Sequence, residues 1–181
     1  MSSYFEKFVI DILNDVPTYI YLLLLGLLVL FAVITILSTG WKKGLMLLLR
    51  FVLIEYIFLL LCFTVIFRIP NENIEHHFIP FWSYAAYNIE VRPDLLPENI
   101  MNIVVFVPLG LMLGGGFEDV NWWKVLIVGL FISVIIEVIQ YFLNLGVSEF
   151  DDVFHNTLGC IIGYGILKVG VFCENAIKGM R

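Results

Sequence analysis

Asn102, Glu137, Gln140, Asp152 and Asn156 are the residues of this 181-residue chain whose types and spacing could do chemistry. Each is set in sequence apolar enough to cross a bilayer. A charge at the bilayer centre costs roughly 2.5–3.5 kcal/mol on insertion scales, so a carboxylate there marks a site by default. Glu137 and Gln140 are spaced i, i+3 and share one helix face. Asp152 and Asn156 are one helical turn apart and can face the same cavity. A carboxylate at position 137 could act as a proton donor or a switch. Asn102, Gln140 and Asn156 read equally well as interhelical glue, bonded between neighbouring helices at ~0.6 kcal/mol each. Glu149, Asp151 and Asp152 form an acidic turn that suits the N-terminus of the helix after it. With Glu137, the same oxygens are a weaker candidate for a divalent-cation site, since EF-hand spacing is absent. His155 adjoins this turn and reads as a structural hydrogen-bonding group.

Those residues need a helical bundle to hold them. The chain is 61% hydrophobic and 14% charged, against ~25% charged in soluble domains, and its mean hydropathy is +0.97. A soluble domain of this size has no way to cover so much apolar surface. The sequence therefore predicts an all-α integral membrane protein. Five segments approach the ~20 apolar residues that a bilayer core requires: 18–37, 44–67, 100–116, 124–143 and 153–172. The third is short and contains Pro108, which should kink it, leaving neighbouring helices to satisfy the freed backbone. The expected organisation is an amphipathic surface segment over 1–17, two spans over 18–67 and an outer loop over 68–99. A three-helix core over 100–173 and a cytoplasmic tail over 174–181 complete it. The first 17 residues carry Glu6, Lys7, Asp11 and Asp15 rather than a basic stretch and a cleavage site, so no cleaved leader is expected.

Placing Lys42 and Lys43 in the cytoplasm also puts Arg50, Lys124, Lys168, Lys178 and Arg181 there, seven of the ten basic residues. The positive-inside rule then sets the N-terminus outside and the C-terminus inside. Trp41, Trp122 and Trp123 sit beside the inner lysines, as interfacial anchors do. In this frame Asn102 lies near the outer end of the third span, and Glu137 lies ~9 Å from the outer end of the fourth. Asn156 is one turn below Asp152, so three spans bring polar groups to similar depth.

The outer loop contains His76, His77, Phe78, Phe81, Trp82 and Tyr84, with Arg68 and Arg92 around them. It reads as an interfacial belt or as a roof over the polar cavity, with arginines able to hold a phosphate bidentately. The pairs Gly110/Gly114 and Gly159/Gly163 allow close helix approach. Arg50 should snorkel to the inner surface, and Glu55 is undecided between a structural and a functional role. The three cysteines lie in apolar runs without metal-ligand spacing. A net charge of −6 argues against nucleic acid as a partner.

Taken together, Arg68, the run Ile79-Pro80-Phe81, Asn102 through Phe106 and Pro108 to Gly110, Glu137 with Gln140, and Asp152 through Asn156 to Gly159 resemble the VanZ-like family. The resemblance covers residues 68 to about 165. It implies a bacterial plasma-membrane protein of the Gram-positive type with a role in tolerance to lipoglycopeptides such as teicoplanin. It implies no mechanism. The family pattern often carries an arginine at the start of the acidic turn, where this chain has Gly146-Val147-Ser148. An anion-contacting role there is either vacant or passes to Arg68 or Arg92.

The leading expectation is an envelope protein that binds an amphiphile in an outward-facing intramembrane pocket without catalysis. Asn102, Glu137, Gln140, Asp152, Asn156 and Arg68 would be its ligand-binding residues. The partner would be a membrane lipid, a lipid-linked envelope component or a lipoglycopeptide, with no cofactor, and oligomerisation is compatible with it. The rival is an intramembrane enzyme using Glu137 and Asp152 as acid and base. No nucleophile with a positioned base and no H-E-x-x-H motif supports it. Transport has less support, because no inverted repeat is evident.

Overall fold

A computed structural model describes residues 6, 7, 10, 13–71, 75–88, 92 and 94–179. Of the expected surface segment, Glu6, Lys7, Ile10, Leu13, Asn14 and Asp15 are helical, Val16 and Pro17 are not, and the rest lies outside the described residues. Helix α1, Thr18–Thr39, starts behind Pro17 and stops at Gly40, whose φ of 76° suits glycine. Helix α2, Trp41–Leu61, runs on as a π turn, Cys62–Ile66, in which Phe67 N donates to Cys62 O at 3.0 Å. A short helix α3, Trp82–Asn88, lies in the loop that follows. Helix α4 is Leu95–Gly116, α5 is Trp122–Leu143 and α6 is Phe150–Gly179. Five of these helices are long and apolar enough to span a membrane, and the architecture is all-α as expected. The only strand-like pairing among the described residues is a bridge between His77 and Glu149.

Two spans differ from the expected limits. Helix α4 begins at Leu95 and has 22 residues, so the third span is of ordinary length. Glu98 and Asn99 lie inside it, and the amide of Asn99 donates to Ser83 Oγ at 2.9 Å, which removes the cost of burying that polar group. Helix α6 continues to Gly179, through residues expected to be a tail.

The core of the bundle is the contact between α4 and α6, where backbone meets backbone. A Cβ at Gly110 would lie 1.9 Å from Cys160 O, one at Gly159 2.2 Å from Ile103 O, and one at Gly163 2.0 Å from Val107 O. Only glycine permits that approach, and dispersion and packing then replace the hydrophobic effect, which is weak between helices in lipid. Helix α5 packs on α6, α2 packs along α4, and α1 packs mainly on α2, with most of its leucines and valines exposed. Pro108 sits within α4. Tyr56 Oη of α2 donates to Val105 O at 2.5 Å, beside the carbonyl that the proline leaves without its helical donor. Arg50 reaches the end of α4, where Nε donates to Gly116 O at 2.7 Å and the guanidinium lies over the Phe117 ring. Glu55 Oε1 is buried with no hydrogen-bond partner among the described residues.

Candidate functional site

The chain direction alternates along α2, α4, α5 and α6, so the loop after α2 and the turn between α5 and α6 meet at one end of the bundle. Beneath them lies a cavity of about 640 Å³. Asn102, Glu137, Gln140, Asp152, Asn156 and Arg68 all line it. The structure thus brings together all six residues singled out as ligand-binding in the sequence.

Each carboxamide is also tied across helices. Asn102 Nδ2 donates to Asp152 Oδ1 at 2.6 Å, joining α4 to α6. Asn156 Nδ2 donates to Ser133 Oγ at 2.9 Å, joining α6 to α5. Gln140 Nε2 donates to Thr64 O at 3.1 Å, joining α5 to the π turn. The glue reading and the lining reading therefore hold for the same side chains. Glu137 is buried, and its Oε2 accepts the amide of Glu149 at 3.0 Å, while Ser148 Oγ donates to the carbonyl of Glu137 at 3.2 Å. These bonds fold the α5–α6 turn back over the cavity.

Two arginines line the cavity, and their environments differ. Arg92 is locked to Asp94 by contacts of 3.1, 3.0 and 2.7 Å. Arg68 donates from Nε to Phe63 O at 3.2 Å and has no carboxylate in ion-pair range among the described residues. Its Nη1 would be 3.1 Å from a Cβ at Gly146, so the guanidinium fills the space beside that glycine.

The acidic turn splits into separate roles. Asp151 is buried and faces away from the cavity. Its Oδ1 accepts Phe81 N at 2.5 Å, and its Oδ2 accepts Ser83 N at 2.9 Å and Ser83 Oγ at 2.5 Å. It therefore holds the start of α3, whereas its neighbour Asp152 lines the cavity. The three acidic residues weighed as a weak cation candidate, Glu149, Asp151 and Asp152, thus do not face one point. Among the described residues, no group of three His, Cys, Asp or Glu is placed to hold a metal ion.

The roof over this end is built from residues that the sequence did not single out as connected. His77 stacks on Trp82 with centroids 3.5 Å apart, and its backbone bonds Ser148 O and Phe150 N. Ser148 N donates to His76 Nδ1 at 3.2 Å. Tyr84 Oη and His155 Nε2 are 2.7 Å apart, which gives His155 the structural role expected for it. Ser133, Ser148 and Asn99 were missed, and single polar residues in such segments carry no signal of their partners.

Glu149 lies in the turn, outside the spans. Burial first, then the charges of Glu98 and Asp151, push its carboxyl up to about 7, with Arg92 opposing. The folded state then binds this proton more tightly than the unfolded chain. Its stabilising contribution is present below the ordinary carboxylate range and is lost as pH rises through about 7. The thermal midpoint in detergent should fall between about pH 5 and about pH 8, and Glu149→Gln should flatten that slope. A slope unchanged in the variant would assign the dependence elsewhere.

The family model VanZ/LLP1 matches residues 18–172. Protein VanZ of Enterococcus faecium is 25% identical over 101 residues, which span 52% of this chain and 63% of that protein, less than two thirds of its length. No solved structure matches the chain. Because the family match runs from the first membrane-spanning helix into the last and takes in all six lining residues named above, the chain belongs to the VanZ/LLP1 family.

Proposed function

We propose that the protein binds the headgroup of an amphiphile in this cavity, which faces the outside of a bacterial plasma membrane, and that binding contributes to tolerance of lipoglycopeptides such as teicoplanin. The observation that carries the reading is the cavity itself: charged and carboxamide groups from α4, α5 and α6 line one space of about 640 Å³, within the size of small-molecule sites. The outward assignment rests on the lysine and arginine distribution, which favours the opposite end of the bundle as cytoplasmic. The family membership and the similarity to Protein VanZ support the link to drug tolerance. In this reading Arg68 contacts the anion from beside Gly146, where the family pattern often carries an arginine. Glu137→Gln and Asn156→Ala should abolish teicoplanin tolerance in an expressing host while membrane levels stay intact. Full tolerance in both variants would exclude the cavity as the origin of the phenotype.

One observation favours a second reading. Glu137 and Asp152 line the same cavity, as an acid and a base acting on a lipid-linked substrate would need to. Conversion of an extracted lipid by purified protein, lost in both Glu137→Gln and Asp152→Asn, would favour catalysis over binding.

A further inference from the structure

Building on the reading of the cavity as a headgroup site, we propose that its ligand is a compact zwitterion. A primary ammonium would lie among Asn102, Glu137, Asp152 and Asn156, and a phosphate or carboxylate would lie on Arg68. The inner wall is rich in acceptors. One N–H of each carboxamide, at Asn102, Gln140 and Asn156, is already committed to Asp152, Thr64 and Ser133 respectively. Among the described residues no donor meets the carboxamide oxygen of any of the three. A carboxylate at Glu137 or Asp152 is likewise an acceptor only. A ligand group that satisfies this wall must bring N–H donors and positive charge together. A primary ammonium brings three donors, whereas a quaternary ammonium brings none and is recognised by aromatic faces instead.

The anionic end is placed by the difference between the two arginines. Arg92 is engaged with Asp94, while Arg68 has no carboxylate partner among the described residues and lines the cavity. The guanidinium fork matches phosphate and carboxylate geometry. Both Arg68 Nη1 and Gln140 Nε2 lie within 4 Å of the Cβ position of Gly146, at 3.1 and 3.8 Å, so Arg68 is at the level of Gln140. Gln140 is three residues beyond Glu137, or ~4.5 Å along the helix axis. A two-carbon linker between ammonium and phosphate, as in phosphoethanolamine, spans that separation. A large or singly charged headgroup does not use both ends.

The full chain in detergent would be mixed with equimolar phosphatidylethanolamine, phosphatidylcholine and phosphatidylglycerol of one acyl composition, and bound lipid counted by native mass spectrometry. Phosphatidylethanolamine should be retained roughly ten-fold over either competitor, about 1.4 kcal/mol. Glu137→Gln should reduce it to the level of the others, and Asp152→Asn should do the same if the first variant fails to fold. Arg68→Gln should weaken all three alike. Displacement by soluble phosphoethanolamine would assign recognition to the free headgroup, and selective retention without displacement would assign it to the lipid. Equal retention of the three lipids would overturn the zwitterion while leaving a headgroup site standing. Phosphatidylcholine held as well as phosphatidylethanolamine would overturn the primary ammonium. No lipid held in any arm would overturn the headgroup reading itself.

Discussion

Gly163→Ala should destabilise the bundle enough to shift most of the protein out of its monodisperse form on heating, while Gly165→Ala and Gly170→Ala should melt with the wild type. The added methyl at 163 would lie 2.0 Å from Val107 O and 2.9 Å from Val107 C, both backbone atoms, so no side-chain rotation relieves it. Overpacking in a core typically costs ~1–3 kcal/mol, and a clash with backbone belongs at or above the upper end. At 165 and 170 a Cβ meets nothing within 4 Å, and alanine is the better helix former. Fluorescence-detected size exclusion after a temperature series reads the contrast. Coincident melting of Gly163→Ala and the wild type would mean that α4 and α6 are not in backbone contact.

Asp151→Ala should release the roof without unfolding the spans. The carboxylate accepts Phe81 N, Ser83 N and Ser83 Oγ, and Asn99 then donates to the same hydroxyl. Removing it orphans three donors, each at a cost of ~1–3 kcal/mol when buried. Phe81 adds to this, because it holds φ at 60°, a left-handed conformation that a non-glycine residue keeps only when its surroundings impose it. Limited proteolysis should show new cleavage within 68–94 in Asp151→Ala, with the membrane-embedded fragments still resistant. Phe81→Gly should be tolerated far better, since glycine adopts that φ freely. An unchanged digestion pattern in Asp151→Ala would remove Asp151 from the roof.

The five spans were legible because charges collect at their ends and leave long apolar runs between. The limits of α4 and α6 were less so. Glu98 and Asn99 look like loop residues in a linear pattern, and only the Ser83 hydroxyl explains why Asn99 can be helical and buried. The convergence of Asn102, Glu137 and Asn156 followed from helical rise alone, since fixed rise turns residue number into depth. Their partners did not. Asp151 meets Phe81 across 70 positions, and Asn156 meets Ser133 across 23, and nothing in either neighbourhood encodes the other. The same limit explains the metal reading: three acidic residues close in sequence look like one cluster, yet the helical turn sends Asp151 to the roof and Asp152 to the cavity. The π turn at Cys62–Ile66, whose Thr64 carbonyl Gln140 uses, carries no proline or glycine to announce it.

Whether the cavity binds an amphiphile is read by native mass spectrometry of the gently purified protein from its expressing membrane. Wild type and Asn156→Ala would be compared at equal folded yield. A defined adduct should appear on the wild type and be lost or much reduced in the variant. An adduct held equally by both, or by neither, would contradict a binding site lined by Asn156.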